Sequence, residues 1–267
     1  MTPERVHETT FLRGVIGSTI HGLALDGTDD RDEMGVCLED IEFVAGLGHF
    51  EQYIYRTAKE RTGKDDAPSQ AGDLDLVVYS LRKFVRLALD GNPTILNLLF
   101  VPPSRLVCCD ARGSALQAMA PSIVSRRAAG RFLGYLQAQR QRLLGERGQK
   151  RIHRPELEAA HGYDTKYAMH MLRLGVQGVE LLRTGRIMLP IAEPERTWLM
   201  QVRRGEIDLQ ACLTRCGELE RELLDLKETS PLPSKPDYHA VERWVVTLYL
   251  EHWKCQDFDR WREGSCA

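Results

Sequence analysis

The chain has 267 residues, of which 43% are hydrophobic, 28% charged and 7% aromatic, a globular composition with apolar material for one large core or two small ones. That mixture excludes collagen-like, coiled-coil and disordered chains, and a net charge of -2 excludes a molecule that binds polyanions through its overall charge. The balance is nevertheless polarised: residues 121–154 carry nine Arg or Lys against the single acid Glu146, which leaves about -10 for the remainder.

In chain order, the segment from Met1 to Gly17 interrupts its apolar residues with Glu4, Arg5, His7, Glu8 and Arg13, which a signal peptide does not do. No later apolar run approaches the roughly 20 residues of a membrane span, so no membrane contact and a cytoplasmic location are expected. Thr9 to Ile16 (TTFLRGVI) reads as a strand that ends in a Gly17-Ser18 turn. Arg31 to Leu38, with alternating Met34, Val36 and Leu38, supplies a second strand behind an acidic loop. Leu74 to Tyr79 (LDLVVY) carries the strongest strand signal, following the polar linker Thr62 to Gly72. Ser80 then caps a helix that Gly91 stops, and Asn92-Pro93 opens another, with Asn as the cap and Pro at the first helical position. From Ser122 onward the periodicity is helical: a basic segment to about Gly145, then Asp164 to Arg183, Glu206 to Glu228, and Pro236 to Lys254. With the strands confined to the first third, the expected fold class is α+β, a small mixed-sheet module over residues 1–105 followed by a helical domain over 106–267.

Chemistry concentrates around Gly17-Ser18-Thr19-Ile20-His21-Gly22 and the following Asp29-Asp30-Arg31-Asp32. A Gly-Ser turn after a strand presents backbone amides and the Ser18 hydroxyl, all suited to phosphate oxygens. Asp30 and Asp32 are two apart, so on an extended segment both carboxylates point the same way, about 6.6 Å apart at the backbone. Parallel carboxylates repel unless cations lie between them, and hard oxygen ligands suit a pair of Mg²⁺ (or Mn²⁺) ions about 3.5–4 Å apart, the arrangement used for phosphoryl transfer. A third acid is then expected on a neighbouring strand. Asp73 and Asp75 both qualify, and Asp75 is preferred because it lies further inside the apolar stretch, where a lone carboxylate is costly; Asp73 is expected to sit in water.

The order Gly-Ser, three residues, Gly, then Asp-x-Asp, then an Asp-bearing strand resembles the DNA polymerase beta-type nucleotidyltransferase superfamily. YSLRKFVRLALDGNPTILNLLF (79–100) and GYDTKYAMHMLRL (162–174) are similar to predicted nucleotidyltransferases of the YcgL type, an RNA-repair-associated branch, and the matching segments together span roughly residues 11–210. The resemblance implies a polymerase beta-like catalytic module over residues 1–105. It further implies that Gly17 and Ser18 hold a triphosphate, that Asp30 and Asp32 bind both metals, and that Asp75 completes the catalytic site and helps deprotonate the attacking hydroxyl. Asp29 and Glu33 flank the pair where the family more often has Ser and an apolar or aromatic residue, which leaves a register one residue away open.

Lys166, His170, Arg173 and Gln177 recur at helical spacing as one mostly cationic stripe, which an anion such as a triphosphate or an RNA backbone would stabilise. Arg82, Lys83 and Arg86 follow the third acid closely in sequence and are further candidates for nucleotide contact. The segment Ser125 to Arg154 interleaves Arg with Phe132, Tyr135, Leu143 and Leu144, so one face can bury while the other meets a phosphate backbone. The seven cysteines form no Cys-x-x-Cys pair and read as reduced thiols; His239, His252, Cys255, Cys212 and Cys216 match no standard zinc spacing. The expectation is a metal-dependent enzyme that transfers NMP from an NTP to an acceptor hydroxyl, preferably an RNA end such as a tRNA 3′ end. Nucleotidylation of a protein or small molecule, or a catalytically silent nucleotide-binding protein, are the alternatives.

Overall fold

A computed structural model describes residues 1–25, 30–65, 67–146 and 154–254. Its sheet comprises β1 (Thr10–Val15), β2 (Arg31–Cys37), β3 (Gln52–Arg56), β4 (Leu74–Ser80) and β5 (Leu106–Cys109), in the spatial order β3-β4-β2-β1-β5. β2 and β4 run parallel and the other neighbours pair antiparallel. Six helices are interspersed with the first four strands or follow them: α1 (Pro3–Thr9), α2 (Gly17–His21), α3 (Ile41–Val44), α4 (Thr57–Thr62), α5 (Leu81–Leu89) and α6 (Pro93–Leu99). After β5 the described chain is helical: α7 (Ala111–Ala118), α8 (Ala120–Ile123), α9 (Arg127–Leu143), α10 (Pro155–His161), α11 (Thr165–Thr184), α12 (Glu195–Arg203), α13 (Leu209–Thr229) and α14 (Tyr238–Lys254). The molecule is α+β, with a mixed sheet at the start and a helical C-terminal region.

Local sequence explains the best-defined elements. Ser80 accepts a hydrogen bond from the Lys83 amide at 3.2 Å and starts α5, and Asn92 Oδ1 accepts from the amides of Thr94 and Ile95 to start α6. Asp164 caps α11 by accepting from the Tyr167 amide at 3.0 Å. Two strands lie outside the expected set, and one corrects the confinement of strands to the first third. β5 forms at residues 106–109 as a four-residue edge strand on β1, and β3 forms the opposite edge with Ile54 exposed to solvent. Neither edge shows a regular apolar alternation, since each pairs on one side alone.

One continuous core joins sheet and helices: Leu12, Met34 and Val36 from the sheet, Phe84 and Leu96 from α5 and α6, and Phe132, Leu172 and Leu219 from the later helices. α11 is its axis, packed against α9, α12 and α13. The last helix returns to the sheet. Tyr249 donates its hydroxyl to Glu39 Oε2 at 2.5 Å, the Trp253 indole donates to the Glu39 carbonyl at 3.0 Å, and the Leu81 amide donates to the same carboxylate at 3.1 Å. Glu39 is fully buried just beyond β2, and that burial pushes its carboxyl above the usual range. Among the described residues no helix is long and apolar enough to cross a membrane.

Candidate active site

The parallel pairing of β2 with β4 sets Asp32 directly opposite Asp75. Asp30 precedes β2 by one residue and shares the side of Asp32 by the two-residue alternation of extended chain. Carboxylate oxygens of Asp30, Asp32 and Asp75 all lie within 4.8 Å of one another, and all three residues are half-buried. At that separation each pair of charges repels by roughly 3–4 kcal/mol in an effective dielectric of about 20. Arg56 offsets this locally: as register partner of Asp75 on β3 it places Nε 3.2 Å from Asp75 Oδ2, and Ser69 donates to the same oxygen at 2.9 Å. Arg56 is itself fixed, donating to the carbonyls of Asp65 and Ala67.

The β1–α2 corner closes on this cluster. The Ile16 amide donates to the Asp32 carbonyl at 2.9 Å, and Gly17 adopts a left-handed φ of 70°. A Cβ on Gly17 would come within 2.1 Å of Asp32 Oδ2, so glycine is required both by conformation and by contact with the carboxylate. Ser18 follows in the first turn of α2. Beside it lies a cleft of about 420 Å³ walled by Val15, Thr19, Asp30 and Arg31 on one side and by Ser104 and Arg105 on the other. Its size falls within the range of small-molecule sites.

The competing acids resolve by geometry. Asp73 is buried, contrary to the expectation that it sits in water; Arg61 grips both its oxygens at 2.7 and 3.0 Å and the Gln70 amide adds a third bond. These partners hold its carboxyl below the usual range, and it stands outside the three-carboxylate cluster. Glu33 projects to the opposite face of β2, where it is buried and bonded to Arg13 and Arg31. Asp29 lies outside the described residues.

The α11 stripe reaches the site from behind. Arg173 Nη1 sits 2.8 Å from His21 Nε2 and 2.9 Å from Gln177 Oε1, and Gln177 Nε2 lies 3.1 Å from His21 Nδ1. His21 is the last residue of α2, so the stripe braces the helix that starts at the Gly17-Ser18 corner. Burial and the charge of Arg173 hold the His21 imidazole neutral. His170 is neutral for the same reason, with Lys166, Arg203 and Arg154 adding to Arg173. Burial lowers the Arg173 guanidinium to about 10, which leaves it charged at neutral pH. Lys166 is half-buried one turn before His170 on the same helix.

Arg82 and Lys83 are not brought to the cluster. The strand from Asp75 to Ser80 separates them, about 17 Å at 3.3–3.4 Å per residue. Lys83 and Arg86 instead pair with Glu51 at 2.7 and 3.1 Å, and Arg82 donates to the Val44 carbonyl. Cys212 and Cys216 are buried on α13, where burial pushes the Cys216 thiol up to about 12; Cys255 lies outside the described residues. Sequence reasoning missed Arg56, Ser69, Thr19, Ser104 and Arg105. A strand signal at Tyr53-Ile54-Tyr55 would have pointed to Arg56.

The family model described as RlaP, the RNA repair pathway DNA polymerase beta family, matches residues 3–247. The chain belongs to the RlaP family. RlaP membership makes it a nucleotidyltransferase of the polymerase beta type associated with an RNA repair pathway, in a superfamily whose members usually use divalent metal. Among solved structures it is similar to a nucleotidyltransferase-like protein from Exiguobacterium sibiricum 255-15, with 9% identity, 85% of this chain and 71% of that chain covered, and a TM-score of 0.30. The low identity and score leave the assignment to the RlaP model alone. No curated protein matches the chain.

Proposed function

We propose that this chain transfers a nucleoside monophosphate from an NTP to the 3′ hydroxyl of an RNA, with a damaged tRNA end as the preferred acceptor. The observation that carries the reading is the convergence of Asp30, Asp32 and Asp75 against the Gly17-Ser18 corner. Three carboxylates with Arg56 beside Asp75 form a hard, anionic donor set that fits Mg²⁺ or Mn²⁺. When bound, a divalent pair supplies charge neutralisation and Lewis acidity at the α-phosphate.

The residues of the chain then divide the work. Gly17 and Ser18 receive the triphosphate, because the absence of a side chain at Gly17 lets phosphate oxygens approach the backbone beside Asp32. Lys166 and Arg173 lend positive potential from behind α2, with Arg173 acting through His21, and the neutral His170 offers hydrogen bonding on the same stripe. Asp75, oriented by Arg56 and Ser69, accepts the proton of the acceptor hydroxyl as its oxygen attacks the α-phosphorus; the bond to pyrophosphate breaks and pyrophosphate leaves. Catalysis rests on positioning and charge neutralisation, with no covalent intermediate on the protein. The basic segment 121–154 favours RNA as the acceptor over a small molecule, and the family's place in an RNA repair pathway agrees with it.

The test incubates the full chain with each labelled NTP, Mg²⁺ and bulk tRNA. Label on RNA is the expected result. Label on the protein or on an added small molecule would change the acceptor, and no label with any NTP would overturn the enzymatic reading.

A further inference from the structure

α9 is built unlike its neighbours. Its 17 residues, RAAGRFLGYLQAQRQRL, include four arginines and no acid. Ala128, Ala129, Phe132 and Leu136 bury one face. Arg140 turns aside to Glu220 of α13 at 3.1 Å. The remaining face lines a cleft of about 500 Å³ with Arg131, Tyr135 and Arg142. Arg127 and Arg131 share one carboxylate, Asp90, and Arg142 has no acidic partner among the described residues. Arg127 and Asp90 also line a second cleft, of about 630 Å³, together with Arg82, Arg86, Glu242 and apolar side chains of α5 and α14, among them Val85 and Val245. The arginines expected at the nucleotide thus flank this surface instead. None of Asp30, Asp32 and Asp75 lines either cleft.

Two further features suit this face to a polyanion. Tyr135 is 38% exposed, and its hydroxyl accepts a hydrogen bond from Asn92 at 3.1 Å, which fixes the ring at the cleft wall. The cleft floor contains Gly130 and Gly134, one turn apart inside the helix, each destabilising by roughly 0.5–1 kcal/mol relative to Ala. Packing accounts for the glycines of α11, since a Cβ at Gly175 would meet Leu219 at 2.7 Å and one at Gly178 would meet Phe132 at 2.9 Å. A Cβ at Gly130 or Gly134 would meet nothing within 4 Å. Packing inside this chain gives no reason for them, whereas a backbone laid along the arginines would occupy that space.

We propose that the two clefts form one track that holds the phosphodiester backbone of the acceptor RNA away from its reacting end, with Tyr135 stacking on a base. The inference rests on the reading that the acceptor is RNA. Charge complementarity selects the occupant: five arginines line the clefts against Asp90, Glu242 and the Glu51 that pairs with Arg86. The track governs affinity for long RNA and leaves chemistry on a short acceptor unchanged.

The experiment measures binding of a labelled 20-nucleotide single-stranded RNA and of bulk tRNA to the full chain between 50 and 200 mM KCl. Arg131→Glu and Gly134→Glu are expected to weaken RNA binding at least tenfold, and Arg131→Glu to flatten the salt dependence by about one unit of log–log slope. Gly134→Ala, which favours the helix, reports on folding through its far-UV CD, and its methyl group, entering the space assigned to the backbone, is expected to weaken RNA binding less than Gly134→Glu. Transfer to a dinucleotide acceptor is expected to be unchanged in all three. Binding of long RNA unchanged in both Glu variants, while the original chain binds and labels RNA, would overturn the track and leave the RNA reading standing. Failure of the original chain to bind or label RNA would overturn both. Displacement of RNA by polyglutamate at equal concentration would overturn the track in favour of an acidic protein partner.

Discussion

Three acids and one glycine make up the proposed site, and their energetics oppose each other in a testable way. Without a divalent ion, Asp30, Asp32 and Asp75 destabilise the fold through mutual repulsion. Asp32→Asn is therefore expected to raise the metal-free unfolding temperature by a few degrees, about 2–4 °C per kcal/mol for a chain of this size, while reducing nucleotidyl transfer at least a hundredfold. Thermal melts in EDTA beside the labelled-NTP assay check both halves, and an unchanged melting temperature with retained transfer would refute the cluster. Gly17→Ala places a methyl group against Asp32 Oδ2 and forces a positive φ on a side chain that resists it. Transfer is expected to fall at least a hundredfold, with a far-UV CD spectrum like that of the original chain. The Asp32–Asp75 pair was legible in the sequence because strand alternation is rigid and the two strands carry strong apolar signals. Asp73 was misjudged in detail: distance along an apolar run says nothing of an arginine arriving from α4.

Helices and strands show where sequence distance misleads. Lys83 follows Asp75 by eight residues, yet β4 intervenes as a strand and carries it to the other end of the sheet, so Lys83→Ala is expected to leave NTP affinity within twofold. Isothermal titration with a nonhydrolysable NTP checks this, and a tenfold loss would return Lys83 to the site. Ser80 and Asn92 were readable as caps because their side chains bond to amides two or three residues ahead, a purely local interaction. β3 carried only the short signal Tyr53-Ile54-Tyr55, and β5, a four-residue edge, owes its form to its partner strand and to no pattern of its own. With β3 unseen, Arg56 was unseen as well, and the basic character of the Ser104-Arg105 wall of the cleft depended on β5 crossing to the edge of β1.

For the whole molecule, the helical region braces the Gly17-Ser18 corner through Arg173 and Gln177, which hold the neutral His21 imidazole. His21 and His170 are held below the ordinary histidine range by burial first and by neighbouring cations second. In the unfolded chain both titrate near 6.5, so unfolding takes up protons below that pH. Stability from this source is complete above about pH 6.5 and declines as the pH falls beneath it, by up to about 1.4 kcal/mol per pH unit for each histidine. Denaturant melts at pH 7.5 and 5.5 are expected to show the loss, and His21→Gln is expected to make it smaller. An identical loss in His21→Gln would show that His21 is not a source. The division into sheet and helices was visible in the sequence; their shared core, with α11 as its axis, was not, because side-chain packing between remote segments leaves no periodic trace.

The carboxyl group of Glu39 gathers Leu81 and, 210 positions onward, Tyr249. Such a junction cannot be completed while the polypeptide is still short. A growing chain that has already made both acid-bearing strands keeps an acid without its phenol at the downstream end of β2, and the sheet is sealed there only after α14 has emerged. The sheet module is thus completed only once α14 has been made, and a product that stops short of Tyr249 leaves that acid buried with one partner fewer or open to water.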